Sequence, residues 1–299
     1  MEHKHSILQP AGRRALLVAA AAAFVALSAP ATANDDDRAR GDDAVEFAEN
    51  LRLSAFGLTA DQRLVRFRVA TPGLRREIGT VHGFDPKDTA LVGIDFRVQD
   101  GKLYGVGDGG GIYTIDTKTA EAKRVSFLTE TLNGKFFGVD FNPAADRLRI
   151  VSDTGQNLAH NLNDGMTAAN TALNYAAPVN VNPATGVTGA AYTNNDLSSL
   201  TGTTLFDIDA TRNQVAIQSP PGQGALVATG SLTVDPDTAV GFDIYSTLRK
   251  GVAARNAGFA SLVVNGVTGL YRVNLLTGRA DLIAPFKDKV IDIALPLNQ

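Results

Sequence analysis

A tetrapeptide of glycine, apolar residue, aspartate and apolar residue recurs along this 299-residue chain. Gly93-Ile94-Asp95-Phe96 and Gly138-Val139-Asp140-Phe141 are nearly identical. Gly241-Phe242-Asp243-Ile244 keeps the pattern, Val290-Ile291-Asp292-Ile293 lacks only the glycine, and Gly189-Ala190-Ala191-Tyr192 keeps the glycine and loses the aspartate. Successive heads lie 45, 51, 52 and 49 residues apart. A fixed period of this size is the mark of a repeat fold, in which each unit buries its apolar face only against its neighbours.

The texture between the heads is that of strands. From Leu51 onward, short runs rich in Val, Ile, Leu, Phe and Tyr are cut by Gly, Pro, Asn and Asp. LVGIDFR, KLYGVG, IYTID and KRVSFL read as four antiparallel strands in about 40 residues, the size of one propeller blade. The next unit runs GVDFN, RLRIVS and NLAHNLN, with TALNYAA as the candidate fourth strand. GAAYTNN, TTLFDID, QVAIQS and LVATGSL make the following one. The last opens with VGFDIYS, carries an insertion at Leu248 to Gly258, and continues with FASLVVNG, GLYRVN and ADLIAPF.

The two ends complete each other. Leu51 to Thr80 holds three strands (LSAFGLT, RLVRFRV, REIGTV) and lacks a first strand, whereas KVIDIALPL is a first strand with nothing after it. Joining them in one blade closes the ring and leaves no edge to aggregate. The expectation is an all-β, five-bladed β-propeller of four-stranded antiparallel blades over residues 51–299. A sandwich or an open solenoid leaves the orphan strand unexplained.

The first 33 residues read as a secretory signal peptide. Lys4, Arg13 and Arg14 precede an apolar run of 15 residues, Ala15 to Ala29, and Ala31-Thr32-Ala33 forms a small-residue cleavage site, so cleavage is expected after Ala33. The run is shorter than the ~20 residues of a membrane span. Arg13-Arg14 leaves the choice between the general and the twin-arginine export routes open. The expected address is periplasmic or extracellular.

Residues 34–50 hold seven acidic residues against Arg38 and Arg40, which makes this stretch an acidic solvated linker. The whole chain carries −3, the leader +2 and the linker −5, so the body is neutral by formal count and has no electrostatic footprint for nucleic acid. With no cysteine, the fold relies on core burial, and disulfides, thiol nucleophiles and a lipid anchor on cysteine are excluded. A monomer is expected.

Asp95, Asp140, Asp243 and Asp292 share one position on the innermost strand, beside the channel. Four carboxylates there suit a hard cation such as Ca²⁺, or the acid and nucleophile of glycoside hydrolysis. A role needed once per blade is first a packing role, in which each carboxylate accepts backbone N–H groups. A specific site is better sought among unrepeated polar residues. Arg147, Arg149, Asp153, Asn157 and His160 make the third unit the most polar and form the candidate ligand wall. Turn chemistry and arginines lying over apolar surface are the competing explanation, and it applies equally to Asn194, Asn195, Asp196, Asn180 and Asn182.

Other motifs are set aside. Gly105 to Gly110 fits G-x-G-x-x-G but precedes a strand, so it is a hairpin turn and no dinucleotide loop. Beyond the leader only His82 and His160 remain, and no serine stands beside either in sequence to suggest a triad.

GIDF…GKLYGVG…IYTID, GVDFNPAADRLRIVSDTGQNL, GAAYTNN…TTLFDID and GLYRVNLLTG together resemble the bacterial exported family of domain of unknown function 4394, over about Leu51 to Pro296. The resemblance implies a secreted or periplasmic propeller-like domain and brings no catalytic residue. The expected function is a non-enzymatic module binding a small molecule, glycan or protein. The alternatives are a carboxylate-dependent hydrolase acting on glycans and a Ca²⁺-stabilised structural module.

Overall fold

The computed structural model describes residues 52–297. The expected signal peptide and the whole of the acidic linker lie outside them. Within them the chain forms five antiparallel sheets. Blade 1 takes β1 (Ser54–Thr59), β2 (Arg63–Arg68) and β3 (Arg76–Thr80) from the start of the chain. Blade 2 is β4 (Leu91–Phe96), β5 (Leu103–Gly107), β6 (Gly111–Ile115) and β7 (Ala122–Phe127). Blade 3 is β8 (Phe137–Asn142), β9 (Arg147–Ser152), β10 (Asn157–Asn161) and β11 (Met166–Ala169). A two-residue strand, β12 (Asn174–Tyr175), precedes blade 4, which is β13 (Val187–Tyr192), β14 (Leu205–Asp209), β15 (Gln214–Gln218) and β16 (Ala225–Ser231). Blade 5 is β17 (Pro236–Arg249), β18 (Val252–Val264), β19 (Val267–Val273) and β20 (Ala280–Pro285).

The final strand, β21 (Val290–Ala294), returns to blade 1 as its innermost strand. It pairs antiparallel with β1, placing Phe56 opposite Ala294 and Leu58 opposite Asp292. The inner strands β21, β4, β8, β13 and β17 touch one another in cyclic order. The fold is the five-bladed propeller expected from the repeats, closed by the two ends of the chain.

The repeated glycine has a steric cause that the pattern alone does not reveal. A Cβ on Gly138 would stand 2.6 Å from the Ala190 backbone nitrogen, and one on Gly241 would stand 2.5 Å from the Asp292 Cα. Inner strands of adjacent blades approach too closely there for any side chain. Between the blades, apolar residues from facing sheets fill the seams. Phe206, Ile208, Phe242, Ile244 and Leu262 pack between blades 4 and 5, and Phe67, Tyr245, Phe259 and Ile293 pack between blades 5 and 1.

Two expectations are corrected. The fourth strand of blade 3 is Met166–Ala169, which pairs with β10 through a tight turn closed by the Gly165 N–H on the Asn161 carbonyl. The TALNYAA segment crosses to blade 4, where Asn174 and Tyr175 run parallel to Ala225 and Leu226. Tyr175 draws it there, being buried with its hydroxyl 2.9 Å from Asp209 Oδ2. Leu248 to Gly258 is no insertion loop. It is the tip of a continuous hairpin, with Thr247 opposite Arg255 and Arg249 opposite Val252. Lys250 and Gly251 both have positive φ (54° and 79°), the geometry of a two-residue turn that matches strand twist. β17 continues five residues past Ile244, which carries the hairpin about 16 Å further at ~3.3 Å per residue.

Candidate functional site

Each channel aspartate ties its blade to another. Asp95 Oδ2 accepts the Phe141 N–H of blade 3 at 2.7 Å, and Asp140 Oδ1 accepts the Tyr192 N–H of blade 4 at 3.0 Å. Asp243 Oδ2 accepts the Leu295 N–H at 2.5 Å, and Asp292 Oδ2 accepts the Ile94 N–H of blade 2 at 2.7 Å. The second oxygens of Asp95, Asp243 and Asp292 accept the N–H of the next residue, at 2.6, 2.5 and 2.9 Å. Every seam but one is therefore stapled by a carboxylate. At the exception, between blades 4 and 5, Ala191 occupies the aspartate position. There Asn195 Nδ2 donates to the Ile244 carbonyl (2.8 Å), the Asn194 N–H donates to Asn256 Oδ1 (2.9 Å), and Asp196 Oδ2 accepts the Ala253 N–H (2.7 Å). The polar turn Asn194-Asn195-Asp196 is thus the local substitute for the missing carboxylate.

Asp95, Asp140 and Asp243 each bring an oxygen within 4.8 Å of the others, and all three are buried. Burial first, and then neighbouring carboxylates, hold Asp95 and Asp140 well above the ordinary carboxylate range. Burial also raises Asp292, and it pushes Asp243 up to about 6. Three hard oxygen donors at this spacing are of the right chemistry for a cation such as Ca²⁺. Backbone N–H groups already engage both oxygens of Asp95 and Asp243, which leaves each oxygen one lone pair for such an ion. The cluster can therefore staple strands, share protons or take up a cation.

The unrepeated polar residues of blade 3 do not converge on one pocket. Arg147 donates to the carbonyls of Ala145 (3.2 Å) and Asp146 (3.1 Å) beside the β8–β9 turn. Asp153, beyond the other end of β9, accepts the Lys135 N–H at 2.9 Å. His160 lies in the seam with blade 2, its Nε2 2.8 Å from Ser126 Oγ and its Nδ1 3.0 Å from Thr167 Oγ1. Only Arg149 and Asn157 meet, at 2.6 Å between Nη1 and Oδ1.

Ser126 is a partner the sequence concealed, because it is 34 residues from His160 and on a different blade. The pair has the spacing of a nucleophile and its base, yet the group at Nδ1 is a hydroxyl and no carboxylate. Thr167 Oγ1 also accepts the Thr129 N–H at 3.0 Å. Burial pushes the imidazole pKa down and keeps it neutral.

The face where inner strands turn into second strands carries the exposed features. The tip of the β17–β18 hairpin presents Arg249, Lys250 and Val252 to solvent. The β13–β14 loop is bonded to that hairpin through Asn194 and Asp196, and it exposes Leu197 at 68% and Leu200 at 95%.

Four-stranded antiparallel blades in a ring of five, closed by joining the chain ends, define a β-propeller. The chain belongs to the family described as domain of unknown function (DUF4394), which it matches over residues 63–294. No curated protein matches it. Among solved structures it is similar to a protein of unknown function from Bacteroides thetaiotaomicron VPI-5482, at 13% identity and a TM-score of 0.44, covering 82% of this chain and 64% of that one. It is also similar to PorZ, a surface component of the type-IX secretion system of Porphyromonas gingivalis (15%, 0.40, covering 78% and 28%). An auxiliary nutrient binding protein from Bacteroides ovatus ATCC 8483 is a third (11%, 0.37, covering 75% and 57%). The chain thus spans less than two thirds of each of these structures. Among the described residues no helix is long and apolar enough to cross a membrane.

Proposed function

We propose that this protein is an exported, non-enzymatic propeller that binds a partner through the face bearing the β17–β18 hairpin. The observation that carries this reading is the hairpin itself. One blade extends its first two strands well past the others, and a neighbouring loop is hydrogen-bonded against the extension with Leu197 and Leu200 outward. A protruding β-ribbon costs backbone order and gains no core burial at its tip, so its worth lies in what it touches. The carboxylates that a glycan hydrolase would need are buried and hold backbone N–H groups, which favours the binding role over catalysis. Export rests on the leader-like sequence of residues 1–33.

The test is site-specific photo-crosslinking in cells, with the probe at Leu200 or Val252 and a control probe at exposed Lys123 on the outer strand of blade 2. The expected result is one discrete adduct from both hairpin-face positions and none from Lys123. The same smear from all three positions would remove the case for this face.

A further inference from the structure

The seam between blades 3 and 4 contains buried polar atoms that the fold leaves unanswered. Asp207, on β14, is 0% exposed, and neither carboxylate oxygen has a hydrogen-bond partner among the described residues. Gln218, on β15, is 1% exposed and its Oε1 is likewise unpartnered. The two lie on one face of the sheet, because Asp207 is opposite Ala216 and Gln218 is two residues along the same strand. Facing them from blade 3 is Arg149, also buried.

Arg149 and Gln218 meet at one atom. Arg149 Nη1 donates to Asn157 Oδ1 at 2.6 Å, and Gln218 Nε2 donates to the same oxygen at 3.3 Å. The other partners of Arg149 are the Leu158 carbonyl (3.2 Å), Asn170 Oδ1 (2.8 Å) and the Tyr192 hydroxyl (3.4 Å). All are neutral, so among the described residues the buried guanidinium has no bonded counter-ion. Asp207 is near enough for the Arg149 charge to pull its carboxyl back towards ionisation, against the burial that raises it.

Three simpler resolutions fail. Rotating the Gln218 amide would turn Oε1 towards Asn157 Oδ1 and the Pro221 carbonyl, both acceptors, so the orientation is fixed with Nε2 donating to Pro221 at 2.6 Å. Protonating Asp207, the direction in which burial drives it, still leaves its other oxygen and the Arg149 charge unanswered. A bare ion pair across a gap in low dielectric does not recover the desolvation of its two charges.

We propose that the blade 3–4 seam is a binding site for ordered water, which donates to Asp207 and Gln218 Oε1 and bridges them to the Arg149 guanidinium. Water is the smallest species that donates to several acceptors while accepting from a cation, and buried waters characteristically make about three such bonds. The bridge links Arg149 to Asp207 and adds a second polar tie to a seam that Asp140 already fastens to the Tyr192 N–H.

The test has two arms. A crystal structure of the full chain at a resolution that shows ordered water should place density within hydrogen-bonding distance of Asp207 and Gln218 Oε1. Direct contact of Arg149 with Asp207, an empty gap, or density that refines only as a larger solute would each overturn the proposal. In solution, magnetic relaxation dispersion of the water signal counts long-lived internal waters. Asp207→Leu should lower that count by at least one, whereas Asp207→Asn, which still accepts a hydrogen bond, should keep it. An unchanged count in a folded Asp207→Leu protein would sink the proposal. If that variant does not fold, the wild-type density decides alone.

Discussion

Replacing Asp95 by alanine isolates what a channel carboxylate contributes. The side chain accepts two buried backbone N–H groups, from Phe96 at 2.6 Å and from Phe141 of the next blade at 2.7 Å. Truncation leaves both donors unanswered at about 1–3 kcal/mol each. Opposing this, it removes a buried carboxyl whose charge is disfavoured by burial and by Asp243. The donors outweigh the relief because two bonds are lost and only one group is removed. The expected net cost is about 3 kcal/mol, which for a domain of this size lowers Tm by roughly 6–12 °C. Asp95→Asn keeps one acceptor and should lose about half as much. Asp281→Ala is the control, since its ion pair with Arg279 is exposed and should shift stability by no more than ~0.5 kcal/mol. Thermal melts of the three variants by circular dichroism decide the matter. If Asp95→Ala melts at or above the wild-type temperature, repulsion within the ring outweighs stapling and the reasoning is wrong.

Two further outcomes follow from the same cluster. Burial raises the Asp243 pKa from 3.8 to about 6 in the folded chain. The native state therefore binds that proton more tightly than the unfolded state, and the resulting stability is complete below the unfolded value and lost as pH rises through about 6. Urea midpoints should accordingly fall between about pH 4 and about pH 6.5, and Asp243→Asn should reduce the change; a wild-type midpoint that rises instead would contradict the assignment. Chelation should leave Tm unchanged, because backbone N–H groups hold the channel carboxylates in place and burial disfavours the charged forms that a cation needs. Stabilisation by added Ca²⁺ that Asp140→Asn abolishes would restore the cation reading.

The repeats exposed the ring because one tetrapeptide performs two inter-blade tasks. Its glycine permits close approach and its aspartate ties the strands, so each recurs in four of the five inner strands. The orphan Val290 to Ile293 motif revealed the closure for the same reason. The blade to which a strand attaches was harder to read. TALNYAA has strand composition, but only the reach of Tyr175 to Asp209 decides that it joins blade 4. The long hairpin looked like an insertion because Arg249, Lys250, Gly251 and Ala253 carry no apolar alternation; its register comes from cross-strand pairing and a turn. Ser126 with His160, and Asp207 with Arg149, are encounters across seams between residues distant in sequence. The one hint of the latter was an aspartate inside LFDID, a segment buried along its whole length.

Closure by β21 also sets the order of events during synthesis. Blade 1 takes its outer three strands from residues before those of every other blade, yet its inner strand is translated after all four of the others. Until then β1 presents an open edge, and the Ile94 N–H lacks its Asp292 acceptor. The other four blades form from contiguous stretches and can assemble as they emerge. The ring becomes a ring only once Val290–Ala294 has been added, so a chain truncated before it leaves four whole blades and a three-stranded remnant with an exposed edge, recognisable to proteases as incomplete.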